Sequence, residues 1–154
     1  MMLILRRTLG VVAVVLITSA PVFAQAGTGV RAGAGGSPDQ FFFGGHIETG
    51  PVADHVTFRP NAEVGVGSGF TQLAVNLEFV YHVPIRRQPW SFYFGGGPAA
   101  VISSPRDRNG SEVGGGFNLL LGLQARRGLF TELKVGFIDS PQVKFTVGYA
   151  FRNR

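Results

Sequence analysis

Residues 142–152 read QVKFTVGYAFR, and in that stretch Val143, Phe145, Val147, Tyr149 and Phe151 alternate with Gln142, Lys144, Thr146, Gly148, Ala150 and Arg152. A period of two with one apolar face and one polar or small face is the signature of a β-strand, because successive side chains on an extended backbone point to opposite sides. The same rhythm recurs through the chain. Val56, Phe58, Pro60, Ala62, Val64 and Val66 alternate with Thr57, Arg59, Asn61, Glu63, Gly65 and Gly67. Leu73, Val75, Leu77, Phe79, Tyr81 and Val83 oppose Gln72, Ala74, Asn76, Glu78, Val80 and His82. Val113, Phe117, Leu119, Leu121 and Leu123 oppose Gly114, Gly116, Asn118, Gly122 and Gln124, with Leu120 breaking the pattern.

Eight such segments are predicted, at 29–35, 40–48, 56–67, 71–83, 90–101, 112–125, 129–138 and 142–152. Turn-forming residues punctuate them, among them Ser37-Pro38-Asp39, Gly50-Pro51, Gly67-Ser68-Gly69 and Asp139-Ser140-Pro141. The longest connection runs from Ser103 to Ser111. Pro60 and Pro98 fall inside strands, where each removes a ladder donor. Pro98 follows Gly95, Gly96 and Gly97, so a bulge or sharp bend is predicted there.

The first residues carry Arg6 and Arg7, an apolar run from Val11 to Ile17, then Thr18, Ser19, Ala20 and Pro21, and small residues at Val22, Ala24 and Ala26, so that cleavage after Ala24 or after Ala26 fits equally well. This is the layout of a secretory signal peptide, too short in its apolar run to span a membrane as a helix. Residues 1–24 are therefore read as a leader and 25–154 as one barrel domain. Loss of Arg6 and Arg7 reduces the 14 basic residues to 12 against 9 acidic ones, a dispersed surplus with no basic stripe, which argues against nucleic acid as a partner. Cysteine is absent, so an exported domain of this size is held by packing and hydrogen bonds alone.

Either strand face could line the interior. Charged residues make up 15% of the chain, against about 25% in a typical water-covered domain. Running alternate strands in opposite directions collects Phe58, Phe79, Tyr81, Trp90, Phe92, Tyr149 and Phe151 at one rim and Phe41, Phe43, Phe117 and Phe137 at the other. Between these lies an aliphatic band containing Val75, Leu77, Leu121 and Val147. Two aromatic girdles about an aliphatic band, on strands long enough to cross about 25 Å of hydrocarbon when tilted, predict an all-β, eight-stranded antiparallel up-and-down transmembrane β-barrel with its polar face inside. That interior gathers Arg31, Arg59, Lys134, Lys144 and Arg152 with Glu63, Glu78 and Glu132, a lumen charge network in which each ion must pair or meet water. A salt-bridged plug is the reading adopted over an ion path, since eight strands enclose space only for their own side chains.

His46, His55 and His82 lack metal-ligand spacing, and no Ser-His signature appears. No catalytic residue, metal or cofactor is assigned. The glycine clusters at 65–69 and 95–97 do not make a phosphate-loop pattern ahead of a helix.

With its leader, alternating segments, glycine-rich polar face, and stretches such as Phe43-Gly44-Gly45-His46 and the run from Gly128 to Gly136, the chain resembles the small outer-membrane β-barrel superfamily of Gram-negative bacteria. That group includes the membrane domain of outer membrane protein A and its opacity-type relatives. The resemblance implies residence in the cell outer membrane, contact with outer-membrane lipid and lipopolysaccharide, handling by the outer-membrane assembly machinery, a monomer, and a structural or surface-interaction role. Members usually end on a terminal aromatic, whereas here Phe151 is followed by Arg152, Asn153 and Arg154. Two other functions are weighed against this one: a lipid A deacylase or acyltransferase working at the rim through His46 or His82, and an exported soluble carrier of lipocalin type, which would have an apolar interior.

Overall fold

The computed structural model describes residues 27–151, and the leader and Arg152 lie outside them. The described chain is all strand and turn. Its strands are β1 (Gly27–Gly36), β2 (Gln40–Glu48), β3 (Pro51–Ala53), β4 (Val56–Gly67), β5 (Phe70–His82), β6 (Trp90–Pro105), β7 (Glu112–Ala125), β8 (Leu129–Ile138) and β9 (Val143–Phe151). Every neighbouring pair is antiparallel, and the order β2-β1-β9-β8-β7-β6-β5-β4 is closed by pairing of β2 with β4. This is an eight-stranded barrel. The three-residue β3 adds only a short flap on β4, with the one register irregularity among the pairings.

An even number of barrel strands brings both chain ends to one rim, where Thr28 pairs with Phe151. We call this the terminal rim and the opposite one the hairpin rim. β6 runs four residues beyond its predicted end, so its connection to β7 shrinks to residues 106–111. The longer 83–89 connection lies at the terminal rim instead, which corrects the expectation that the longest connection joins β6 and β7.

The predicted bulge at Pro98 does not form. The β5–β6 register is the same on both sides of it, with Asn76 opposite Ala99 and Phe79 opposite Gly96, and only the two intervening pairs lapse. The cause is a missing donor, not an inserted residue. Val83 N–H bonds to Phe92 C=O, so odd-numbered residues of β5 face β6 with their backbone groups, and Leu77 faces Pro98, which has no N–H to give. Pro60 sits opposite Leu77 on its other side and does the same toward β2. There the ladder stops at His46 opposite Asn61, and resumes where Thr49 N–H bonds to Phe58 C=O.

Exposure is inverted relative to a water-soluble domain. Among the described residues, eighteen buried side chains are polar or charged and nine are apolar, while twenty-nine large apolar side chains are exposed. Outward-facing rings meet in pairs near the terminal rim, Phe58 with Phe79, Tyr81 with Phe94 and Tyr149 with Phe151, all with centroids 5.1 to 5.3 Å apart. The aliphatic side chains of Leu77, Leu121 and Val147 are exposed in the wall.

Candidate functional site: a charge network in the lumen

The inward phase of five strands delivers charged residues to the middle of the barrel. Arg31 comes from β1, Arg59 and Glu63 from β4, Glu78 from β5, Glu132 and Lys134 from β8, and Lys144 from β9. Seven of the eight residues expected in the network are thus brought together, and Arg152 is outside the described residues. Arg31 reaches Glu63 at 3.1 Å and Glu132 at 3.5 Å. Arg59 lies 2.5 Å from Glu132 and 3.6 Å from Glu78. Lys134 lies 2.5 Å from Glu78, 3.7 Å from Glu63 and 3.8 Å from Glu132, and Lys144 donates to Glu63.

All seven side chains are at most 4% exposed, so their mutual attraction is little screened. Four cations meet three carboxylates, leaving one positive charge in excess. Aromatic faces offset part of that excess, because a ring quadrupole presents negative density to a cation above it. Lys144 Nζ is 4.2 Å from the Phe42 ring centroid, the Arg59 guanidinium 5.0 Å from that of Tyr93, and the Arg31 guanidinium 5.7 Å from that of Phe130. Tyr93 Oη also donates to Glu132 at 3.0 Å.

These three inward rings were not singled out from the sequence, although the signal was there. Tyr93 shares the inward phase of Ser91 and Gly97, and Phe130 that of Glu132. The glycines explain how rings fit so narrow a cylinder. A Cβ at Gly122 would overlap the Tyr93 ring, one at Gly148 the Phe130 ring, and one at Gly33 would come within 2.7 Å of Phe42. Each large inward ring lies over a glycine of another strand.

Amide layers lie beside the ions. Asn118 donates to Asn76 and Asn76 to Asn61, each at 2.7 Å. Nearer the hairpin rim, Gln40 donates to Gln72 at 3.2 Å and Gln72 to Ser103 at 3.0 Å. At the terminal rim a cavity of about 530 Å³ opens, lined among others by His46, Glu48, His55, Thr57, His82 and Ser91. The three histidines scattered in sequence thus share one chamber, yet among the described residues no group of His, Asp and Glu is arranged to hold a metal. His82 Nε2 is 3.1 Å from Thr57 Oγ1 and 3.4 Å from Glu48 Oε1. A nucleophile and an orienting carboxylate on the same ring nitrogen cannot work as a relay, which needs one on each. Ser91 Oγ is engaged with the Gln124 carbonyl.

No protein-family model matches the chain, and no curated relative matches it. Among solved structures it is similar to the N-terminal β-barrel domain of Pseudomonas aeruginosa OprF, with a TM-score of 0.63 at 14% identity over 84% of this chain and 98% of that one. It is also similar to Neisserial surface protein A, NspA, with a TM-score of 0.60 at 12% identity over 83% of this chain and 94% of that one. The fold is that of the small outer-membrane barrels. What is shared at such identities is the path of the backbone.

Proposed function

We propose that this protein is an integral outer-membrane barrel with a structural or envelope-interaction role, without catalysis, whose lumen is closed by the charge network acting as a plug. The observation that carries this reading is the inverted exposure: ions, amides and histidines inside, and a predominantly apolar wall with aromatic rings outside. Water would penalise such a wall, and acyl chains would not. The same inversion disfavours the soluble carrier, whose interior must be apolar to hold its cargo.

On this reading residues 1–24 are removed on export, and the aromatic rings settle among lipid and lipopolysaccharide head groups. Both chain ends face the periplasm, together with the turns carrying Arg86, Arg87, Arg126 and Arg127, and the assembly machinery inserts the chain as a monomer. The test is fractionation with gel mobility. The protein should stay with the outer membrane through osmotic shock and urea washing, and should migrate differently in detergent gels before and after boiling. Release by osmotic shock with heat-independent mobility would end the proposal.

A further inference from the structure

Four arginines stand together at the terminal rim, and the buried charge network uses none of them. Arg86 and Arg87 lie in the 83–89 connection from β5 to β6, and Arg126 and Arg127 at the tip of the turn from β7 to β8. The two connections touch: Arg126 N–H donates to the Pro89 carbonyl at 3.0 Å, and the next pair down the ladder is Trp90 opposite Ala125. Gly128 N–H closes the second turn on the Ala125 carbonyl at 2.9 Å, which holds Arg126 and Arg127 close above the wall.

All four residues are exposed, neither connection contains an acidic residue, and among the described residues none of the four has an ion pair. The hairpin rim has the opposite balance, with Asp39, Asp107, Glu112 and Asp139 outnumbering Arg106 and Arg108 in and beside its turns. Adjacent strands are about 5 Å apart, so like charges on adjoining turns repel, and an anion set between them relieves the repulsion. A guanidinium suits phosphate in particular, because its planar fork offers two N–H groups to two oxygens.

Directly beneath these arginines the outer wall is apolar, with Ile85, Trp90, Phe92 and Leu129 all exposed. A tryptophan in such a wall settles at head-group depth, so guanidinium groups one turn above Trp90 stand at the level of lipid phosphates. The site therefore asks for a phosphate above and hydrocarbon below in one molecule, which a soluble polyanion does not offer. We propose that the paired turns at 84–89 and 126–127 form a docking surface for an anionic phospholipid, its phosphate between the two arginine pairs and its acyl chains against Trp90 and Leu129. The inference rests on the barrel standing in a membrane, and it deepens that reading by naming the lipid class and its seat.

The test reads Trp90, the chain's single tryptophan, next in sequence to Pro89. The full folded chain is placed in mixed phosphatidylcholine and phosphatidylglycerol vesicles, with a quenching nitroxide near the head end of one acyl chain on either lipid in turn. Quenching of Trp90 should report a preference for phosphatidylglycerol of about fivefold or more, the factor that one basic residue near an anionic surface confers. Replacing all four arginines by Gln should abolish the preference while heat-dependent gel mobility is retained, and Arg126→Gln with Arg127→Gln alone should reduce it. A tryptophan moved to the hairpin rim, by Trp90→Phe with Phe41→Trp, should report no preference. Equal quenching of Trp90 by the two lipids, or a preference that survives the loss of all four arginines, would overturn the proposal. Loss of the preference on adding polyglutamate would assign the arginines to a soluble polyanion and overturn the lipid as occupant. Absence of quenching by either lipid would instead count against residence in the membrane.

Discussion

Replacing Glu132 by Gln keeps shape and volume but removes the charge on which Arg59, Arg31 and Lys134 converge, at 2.5, 3.5 and 3.8 Å. The network would then hold four cations against two carboxylates, all of them buried. Breaking a buried pair by removing one partner costs about 3–5 kcal/mol, because the remaining charge stays buried without compensation. The amide retains an acceptor for Tyr93, so the lower half of that range is expected, about 3–4 kcal/mol, or roughly 150- to 700-fold in the folding equilibrium. Lys144→Gln is the control. It removes the surplus charge, and Glu63 keeps Arg31 and Lys134, so its cost should be at most about 1–2 kcal/mol, near that of one charge-assisted hydrogen bond. The double variant should be less costly than the two single costs added, since it has one fewer unmatched cation than Glu132→Gln alone. The assay is urea unfolding in lipid vesicles, followed by the fluorescence of Trp90, the chain's single tryptophan, which stands at the terminal rim. If Glu132→Gln fell within about 0.5 kcal/mol of the parent, as a surface substitution does, the lumen would be wet and the plug reading refuted.

Three further outcomes are expected. Leu121→Arg, in the middle of the wall, should cost about 2–4 kcal/mol in vesicles and Leu129→Arg, at the rim, about 0–1, whereas equal costs would deny that a hydrocarbon layer surrounds the barrel. Gly122→Val should push the Tyr93 ring aside and cost about 1–3 kcal/mol in the same unfolding assay; a neutral result would mean that Tyr93 does not lie where it donates to Glu132. Pro98→Ala should supply the donor that the Leu77 carbonyl lacks. Hydrogen exchange should find the new amide protected like its neighbours on β6, and rapid exchange there would show that the strands are splayed rather than merely short of a donor.

Much of the architecture was legible because a β-strand with an apolar outer face and a polar lumen face writes its phase directly into the residues. The bounds of β2, β4, β7 and β8 follow from that phase together with the flanking turns, and so does the inward placement of Arg31, Glu63 and Lys134. Leu120, which looked like an exception, keeps the inward phase and packs with Val80 and Tyr93. What the pattern could not carry was anything decided between strands. Whether Pro98 bends its strand or only leaves Leu77 without a donor depends on the parity of bonding to β5, which is a property of register. The partners of Glu132 lie on β1, β4 and β6 as well as its own strand, and no local spacing announces them. The hollow of about 400 Å³ in the outer wall beside Ala62 is likewise a matter of register, since Gly45 lies opposite it on β2.

The network draws Arg59, Glu63 and Glu78 from one side of the cylinder and Glu132, Lys134, Lys144 and Arg31 from the other. An unclosed sheet would keep these two groups apart, each bearing charge that its own neighbours could not neutralise. Sealing the final seam between β2 and β4 is what carries opposite ions into reach of each other. Halfway structures are therefore costly, and the barrel should form whole or not at all.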